Sequence, residues 1–239
     1  PDTSTQLKVS QYYLTDRANF ISFINNLFEP YKKELAELER NNKQLSCDDM
    51  GNADRDFSLL FHQKVVKEYI NLHTPYRGVL LYHGLGSGKT CSSIAITEGL
   101  KSTKPVIIMT PASLQKNYVE ELKTCGDVMY RKNQFWEFVT VDKSAPDEAL
   151  VTQMGRMIGL THEQIMKQGG AWVVNTKKKS NYDTMTTETK SQLDAQIDLM
   201  IRNKYRFINY NGLRKNNIAN LSNNYTINPF DDAVIVIDE

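Results

Sequence analysis

The sequence predicts an α/β protein, a mostly parallel sheet with helices on both faces. Three observations predict it. Short all-apolar runs recur at Val79-Leu80-Leu81, at VIIMT (106–110) and at AVIVI (233–237). Between them lie segments whose apolar residues repeat at three- and four-residue steps, the helical period. A strand apolar on both faces must be covered on both faces, which is the condition of a parallel sheet flanked by helices.

In chain order, residues 1–15 read as a loosely held arm with a short apolar patch, Tyr12-Tyr13-Leu14. From Asp16 a helical period sets in through Phe20, Ile24, Leu27, Phe28, Tyr31, Leu35 and Leu38, with Pro30 predicting a kink or two helices meeting there. Residues 42–56 read as a loop, and 1–56 together as an N-terminal arm and helical appendage. A second helix is expected over 57–72, closed by Thr74-Pro75, then a strand at 78–82. A helix follows Lys89, a strand fills 106–110, and Ser113 is placed to cap a helix stopped by Gly126. Residues 127–204 are less regular. They give a strand near 138–141, an amphipathic helix through Leu150, Val151, Met154, Met157 and Ile158, and a capping box at Thr161 and Gln164 stopped by Gly169-Gly170. A strand-like WVV at 172–174 and a helix through Leu193, Ile197, Met200 and Ile201 complete that region. Residues 205–210 read as a strand, 211–228 as an asparagine-rich helix or loop, and 233–237 as the last strand.

Composition removes several classes. Lys+Arg 29 against Asp+Glu 28 gives a net charge of +1, so nucleic-acid binding would need local clustering rather than bulk charge. No apolar run approaches the roughly 18 residues of a membrane span. Cys47, Cys91 and Cys125 are few, odd in number and far apart, which suggests neither a disulfide framework nor a zinc site and leaves a reducing compartment as the default. His62, His73 and His162 have no ligand spacing and receive no role. Lys177-Lys178-Lys179 reads as a solvated loop, Trp136 and Trp172 as core, and Asp231-Asp232 as a turn.

The chemistry concentrates at GVLLYHGLGSGKT, 78–90. An apolar run, glycines, Lys-Thr and then a helix is the order of a phosphate-binding loop. Gly84, Gly86, Ser87 and Gly88 would turn successive backbone N–H groups toward one phosphate. Lys89 would reach the β- and γ-phosphates and the Thr90 hydroxyl would ligate Mg²⁺. The first position of the strict pattern is glycine; here it is His83. At the other end of the chain an apolar strand runs into Asp238-Glu239. An acid there helps hold Mg²⁺, and a following glutamate can polarise the attacking water. Lys89 and Glu239 are thus the catalytic candidates, with Thr90 and Asp238 as metal ligands and ATP with Mg²⁺ as the cofactors.

HGLGSGKT resembles motif I of superfamily 2 helicases and translocases, where the first loop position is often not glycine. Further pieces follow in the family's order. Gln63, in FHQKVVKEYI, resembles the upstream glutamine that contacts adenine in that family. TPASLQKNYVEEL, 110–122, is similar to motif Ia of the chromatin-remodelling branch through Pro111, Ser113, Leu114, Asn117, Tyr118 and Glu121. Ile208-Asn209-Tyr210 sits where a motif Ib strand would, and VIVIDE looks like the start of motif II. The wording as a whole is most similar to the helicase-like ATPases of nucleocytoplasmic large DNA viruses, relatives of the poxvirus early transcription factor small subunit and nucleoside triphosphatase.

The resemblance implies a RecA-like P-loop lobe over 57–239 with an insertion within 127–204. It implies nucleic-acid contacts at Pro111, Ser113, Asn117 and Tyr210, and a second RecA-like lobe in a longer chain that closes over ATP. DNA or RNA would be the partner, with viral RNA polymerase or other transcription proteins beside it and no membrane. The setting would be virion and host cytoplasm for a viral protein, and otherwise intracellular and soluble. With the second lobe's arginine fingers outside these residues, the chain alone is expected to bind nucleotide weakly and hydrolyse almost none. The alternatives are a non-catalytic scaffold of a virion or transcription complex, a chromatin-remodelling-type translocase, and a restriction-enzyme motor.

Overall fold

The computed structural model describes residues 17–40, 59–70 and 78–238. The expectations for the arm 1–15, the loop 42–56, Thr74-Pro75 and Glu239 lie outside the described residues. The chain divides into two compact units, 1–99 and 100–239, each described by itself.

In the first unit, α1 (Arg17–Arg40) runs unbroken through Pro30. Of the two expectations for Pro30, two helices meeting there is not what forms: the proline lies inside a single helix of 24 residues. The helix expected over 57–72 is described as α2 (Phe61–Tyr69). Tyr31 of α1 meets Phe61 of α2 edge to face, centroids 6.1 Å apart. Helix α3 (Lys89–Leu100) starts on the lysine of the glycine-rich loop, and Ile94, Ala95 and Ile96 on it are buried.

The strand expected at 78–82 is absent: these residues are irregular and join no ladder among the described residues. Leu80 is 86% exposed and Tyr82 91%. An apolar run reports a preference for burial, but a strand also needs a neighbouring backbone to bond, and nothing in a local pattern shows one.

The second unit is built on a parallel sheet of order β4–β1–β5, from β1 (Val106–Thr110), β4 (Tyr205–Asn209) and β5 (Val234–Ile237). Central β1 pairs Val106 with Tyr205 on one side and with Val234 on the other, and Met109 with Ile208 and Ile237. The three strands therefore end level at their carboxyl edge. Val106, Ile107 and Ile108 are all buried, as an all-apolar central strand requires. Helix α4 (Gln115–Cys125) buries Tyr118 and Leu122, and Tyr118 meets Phe207 of β4 edge to face. Gly126 ends it as expected, donating to the Leu122 carbonyl. Ser113 does not cap it. Leu114 occupies that position, because the chain first turns with the Leu114 amide bonded to the Pro111 carbonyl.

Residues 127–204 carry a separate antiparallel ribbon, β2 (Trp136–Thr140) with β3 (Gly170–Val174). Between its strands lie α5 (Glu148–Ile158), capped by Asp147, and α6 (His162–Gln168). The capping box at Thr161 and Gln164 forms as the sequence reads. Each outer edge of the ribbon is closed by a side-chain amide. Asn181 accepts from the Trp136 amide and donates to its carbonyl, at 2.9 and 3.0 Å. Gln196, fully buried on α7 (Thr187–Lys204), does the same for Trp172 at 2.7 and 2.8 Å. Each amide stands in for one residue of a missing strand and leaves no bare edge at the tryptophan. Trp136 is buried, as expected of a core residue. The asparagine-rich stretch forms α8 (Lys215–Leu221) and a turn in which Asn223, Asn224 and Tyr225 all take positive φ.

Candidate nucleotide site and sheet edge

The glycine-rich loop is held by contacts within the first unit. Gly86 and Gly88 have φ of 78° and 73°, the left-handed region open to glycine. The Ser87 hydroxyl donates to the Gly84 carbonyl at 2.8 Å, closing the turn. The Lys89 ammonium donates to the His83 and Gly84 carbonyls, at 3.1 and 3.3 Å, and so folds over the loop that precedes it. A phosphate oxygen is a stronger acceptor than either carbonyl, so an anion would draw the ammonium to itself.

Helix α2 holds the loop from the other side. Gln63, 3% exposed, accepts from the Leu60 amide at 2.9 Å and donates to the Gly88 carbonyl at 3.1 Å. A Cβ on Gly88 would stand 2.4 Å from that donor nitrogen, so Gly88 is required twice, for its φ and for the approach of Gln63. His62 lies 2.8 Å from the Ser87 carbonyl. Its ring also meets that of His83 edge to face, centroids 5.3 Å apart. The His83 Nδ1 is buried with no hydrogen-bond partner among the described residues.

The second unit gathers the other sequence candidates at the carboxyl edge of its parallel sheet. Pro111 follows β1, Tyr210 follows β4, and Asp238 follows β5 with its amide bonded to the Met109 carbonyl at 3.0 Å. Ser113 and Asn117 are exposed on the turn and helix after β1. In open parallel sheets this edge is where ligands bind. Thr110, which the sequence did not single out, is 1% exposed there, and its hydroxyl has no partner among the described residues. The Asp238 carboxylate at this edge is a hard oxygen donor of the kind Mg²⁺ takes. Glu239 lies outside the described residues.

Behind the edge, α4 is tied down by charge. Lys123, its side chain 4% exposed, pairs with Asp198 at 2.7 Å and Glu120 at 2.9 Å. Lys132 pairs with Asp194 at 3.0 Å and reaches Glu120. Burial alone would lower the Lys123 pKa, but hydrogen bonds to Asp198 and Glu120 outweigh it and hold the pKa above the ordinary lysine value.

Over 120 residues the chain is 35% identical to a protein named "Putative ATP-dependent RNA helicase" of Acanthamoeba polyphaga mimivirus, a match covering 50% of this chain and 20% of that one. It is 38% identical over 78 residues to a "Putative helicase" of Invertebrate iridescent virus 3, covering 27% and 8%. It is 37% identical over 82 residues to a "Putative helicase" of Frog virus 3 (isolate Goorha), covering 32% and 9%. Over part of its length the chain is similar in sequence to proteins of large DNA viruses named as putative helicases. The matches span a fifth or less of the length of these relatives. No family model matches the chain, and no solved structure matches it. Among the described residues no helix is long and apolar enough to cross a membrane.

Proposed function

We propose that this chain is the ATP-binding lobe of a nucleic-acid-dependent ATPase, a helicase or translocase of a large DNA virus that acts in transcription. The observation that carries the reading is the glycine-rich loop held by α2, with Lys89 folded over it at the start of α3. The viral relatives and the parallel sheet with acid-bearing carboxyl edge support it. Residues 57–239 are then a first RecA-like lobe, 127–204 an insertion within it, and 1–56 an appendage. Gln63 is the adenine-side residue, Gly84 to Lys89 would cradle the phosphates, and Thr90 and Asp238 would each offer a Mg²⁺ ligand. Bound Mg²⁺ supplies charge neutralisation at the phosphates. Glu239 orients the attacking water, while Pro111, Ser113, Asn117 and Tyr210 touch the nucleic-acid strand.

The test is Lys89→Ala in the full-length protein, assayed for ATP hydrolysis with and without single-stranded DNA and RNA. A nucleic-acid-stimulated ATPase that falls at least about a hundredfold supports the reading. A full-length protein with no ATPase under either nucleic acid removes the motor and leaves a scaffold.

A further inference from the structure

The residue next to Gln63 has a geometry that sequence spacing did not reveal. A carbonyl can only accept, so the 2.8 Å contact between His62 Nε2 and the Ser87 oxygen places the proton on Nε2. The next carbonyl along, Gly88, accepts from Gln63 at 3.1 Å and from the Ser92 amide at 3.0 Å. In a trans peptide the carbonyl of one residue and the N–H of the next point in opposite directions. Holding the Ser87 carbonyl against α2 therefore turns the Gly88 N–H away from α2. Holding the Gly88 carbonyl does the same for the Lys89 N–H, which lies in the first turn of α3, where no intrahelical acceptor exists. Two successive N–H groups facing one way form a concave nest, the backbone arrangement that receives an anion. His62 also touches the other end of the loop, through its ring contact with His83, whose carbonyl accepts from Lys89. The histidine that replaces the first glycine of the strict pattern thus has a partner.

We propose that His62 is a positioning residue of the phosphate loop: by bonding Ser87 and bracing His83 it holds the Gly88 N–H group toward the nucleotide's phosphates, beside the Lys89 N–H that Gln63 orients through the Gly88 carbonyl. This rests on the nucleotide-binding reading above. It assigns His62 to triphosphate affinity rather than to base recognition. The test measures binding of a fluorescent ATP analogue and of the matching adenosine analogue to full-length protein. The variants are His62→Ala, His62→Leu, His62→Gln and Lys89→Ala, with thermal melts of each.

The expected result is a loss of about fivefold in triphosphate affinity for His62→Ala and His62→Leu, with adenosine binding unchanged. His62→Gln, which presents an amide N–H at similar reach, returns to within about twofold of wild type. Triphosphate binding unchanged in His62→Ala overturns the proposal, and so does an equal loss for both ligands. Should His62→Ala fail to fold, the other two substitutions decide, and a glutamine variant binding no better than the leucine variant overturns it. If wild type and Lys89→Ala bind alike, the nucleotide reading itself falls and takes this role with it. Binding that depends on Lys89 but ignores His62 removes only the present proposal.

Discussion

The glycine-rich loop and the carboxyl edge of the parallel sheet are fixed by opposite means. The edge is set by register: β1 bonds both neighbours along its length, and the positions of Pro111, Tyr210 and Asp238 follow from where three ladders end. The loop has no ladder among the described residues. It is held by side chains, Gln63 and His62 on carbonyls of the loop and Ser87 and Lys89 on carbonyls before it. A ladder spreads its stability over many equivalent bonds. A loop held by the contacts of four side chains concentrates it, so single substitutions there should change function sharply while leaving the sheet intact.

The largest effect expected from this contrast is at Gly88. A Cβ there meets Gln63 at 2.4 Å, on a backbone already at φ 73°. Gly88→Ala must either displace the end of the Gln63 side chain or leave the left-handed region, and either outcome costs the hydrogen bond from Gln63 to the Gly88 carbonyl. We expect nucleotide binding by the full-length protein to fall at least about a hundredfold, with the melting temperature of the second unit unchanged. Gly159→Ala is the control. Its φ of 72° is nearly the same, but its Cβ would meet nothing within 4 Å, so it carries the backbone strain without the collision. Its expected cost is about 1 kcal/mol, with nucleotide affinity intact. Equal losses of binding in the two variants would show that φ alone, and not the fit of Gln63, holds the loop.

The same contrast explains what the sequence disclosed. Features carried by local pattern were legible: β1 and β5 from their all-apolar runs, the Thr161–Gln164 capping box, and the stops at Gly126 and Gly169. Features that depend on a distant partner were not. Residues 78–82 have the composition of a strand but no strand partner among the described residues. His62 shows no ligand spacing in the sequence, and its hydrogen bond is to a backbone atom 25 residues away. The amides of Asn181 and Gln196 close the edges of the ribbon, yet in the sequence they are two polar residues among many. Of the candidate site, the motifs located the loop and the sheet edge, while the contacts that shape the loop emerged only from the structure.

A smaller effect is expected where the second unit departs from the ladder principle and relies on charge. Lys123 is nearly enclosed, and it joins Glu120 on its own helix to Asp198 on α7. Lys123→Ala leaves two carboxylates facing each other across the gap. Because Glu120 and Asp198 are themselves 50% and 39% exposed, water recovers part of the loss. The expected destabilisation is therefore about 2 kcal/mol, below the range for a fully buried pair. Urea unfolding followed at Trp136 and Trp172, both in this unit, measures it. Lys123→Met, which restores packing without charge, should recover part of the difference. A midpoint for Lys123→Ala equal to wild type would mean that the pairs contribute nothing and that Tyr118 and Leu122 alone seat α4.

The smallest expected effect is a dependence on acid pH, and its sign follows from two carboxylates. Burial raises the pKa of Glu120, but hydrogen bonds and charge from Lys123 and Lys132 outweigh it and leave the pKa lowered. Asp127 behaves alike: burial opposes, and Lys101 at 2.8 Å with the Met129 amide prevails. A carboxylate whose pKa is lowered by folding binds fewer protons in the folded state than in the unfolded one. Its stabilisation is complete above the unfolded value of about 4 and is lost as the pH falls through the lower, folded value. Lys123 contributes with the opposite sign, its raised pKa placing its loss at alkaline pH, so the acid limb belongs to carboxylates and not to this lysine. With both side chains more than a third exposed, screening limits their joint effect to about 1 kcal/mol. The melting temperature of the second unit should fall by a few degrees as the pH drops below about 4. The double variant Glu120→Gln, Asp127→Asn should start lower and flatten that slope. The same slope in the double variant would assign the acid sensitivity to the other carboxylates whose pKa is lowered in this unit, Glu137 beside Lys178 and Asp142 beside Ser144.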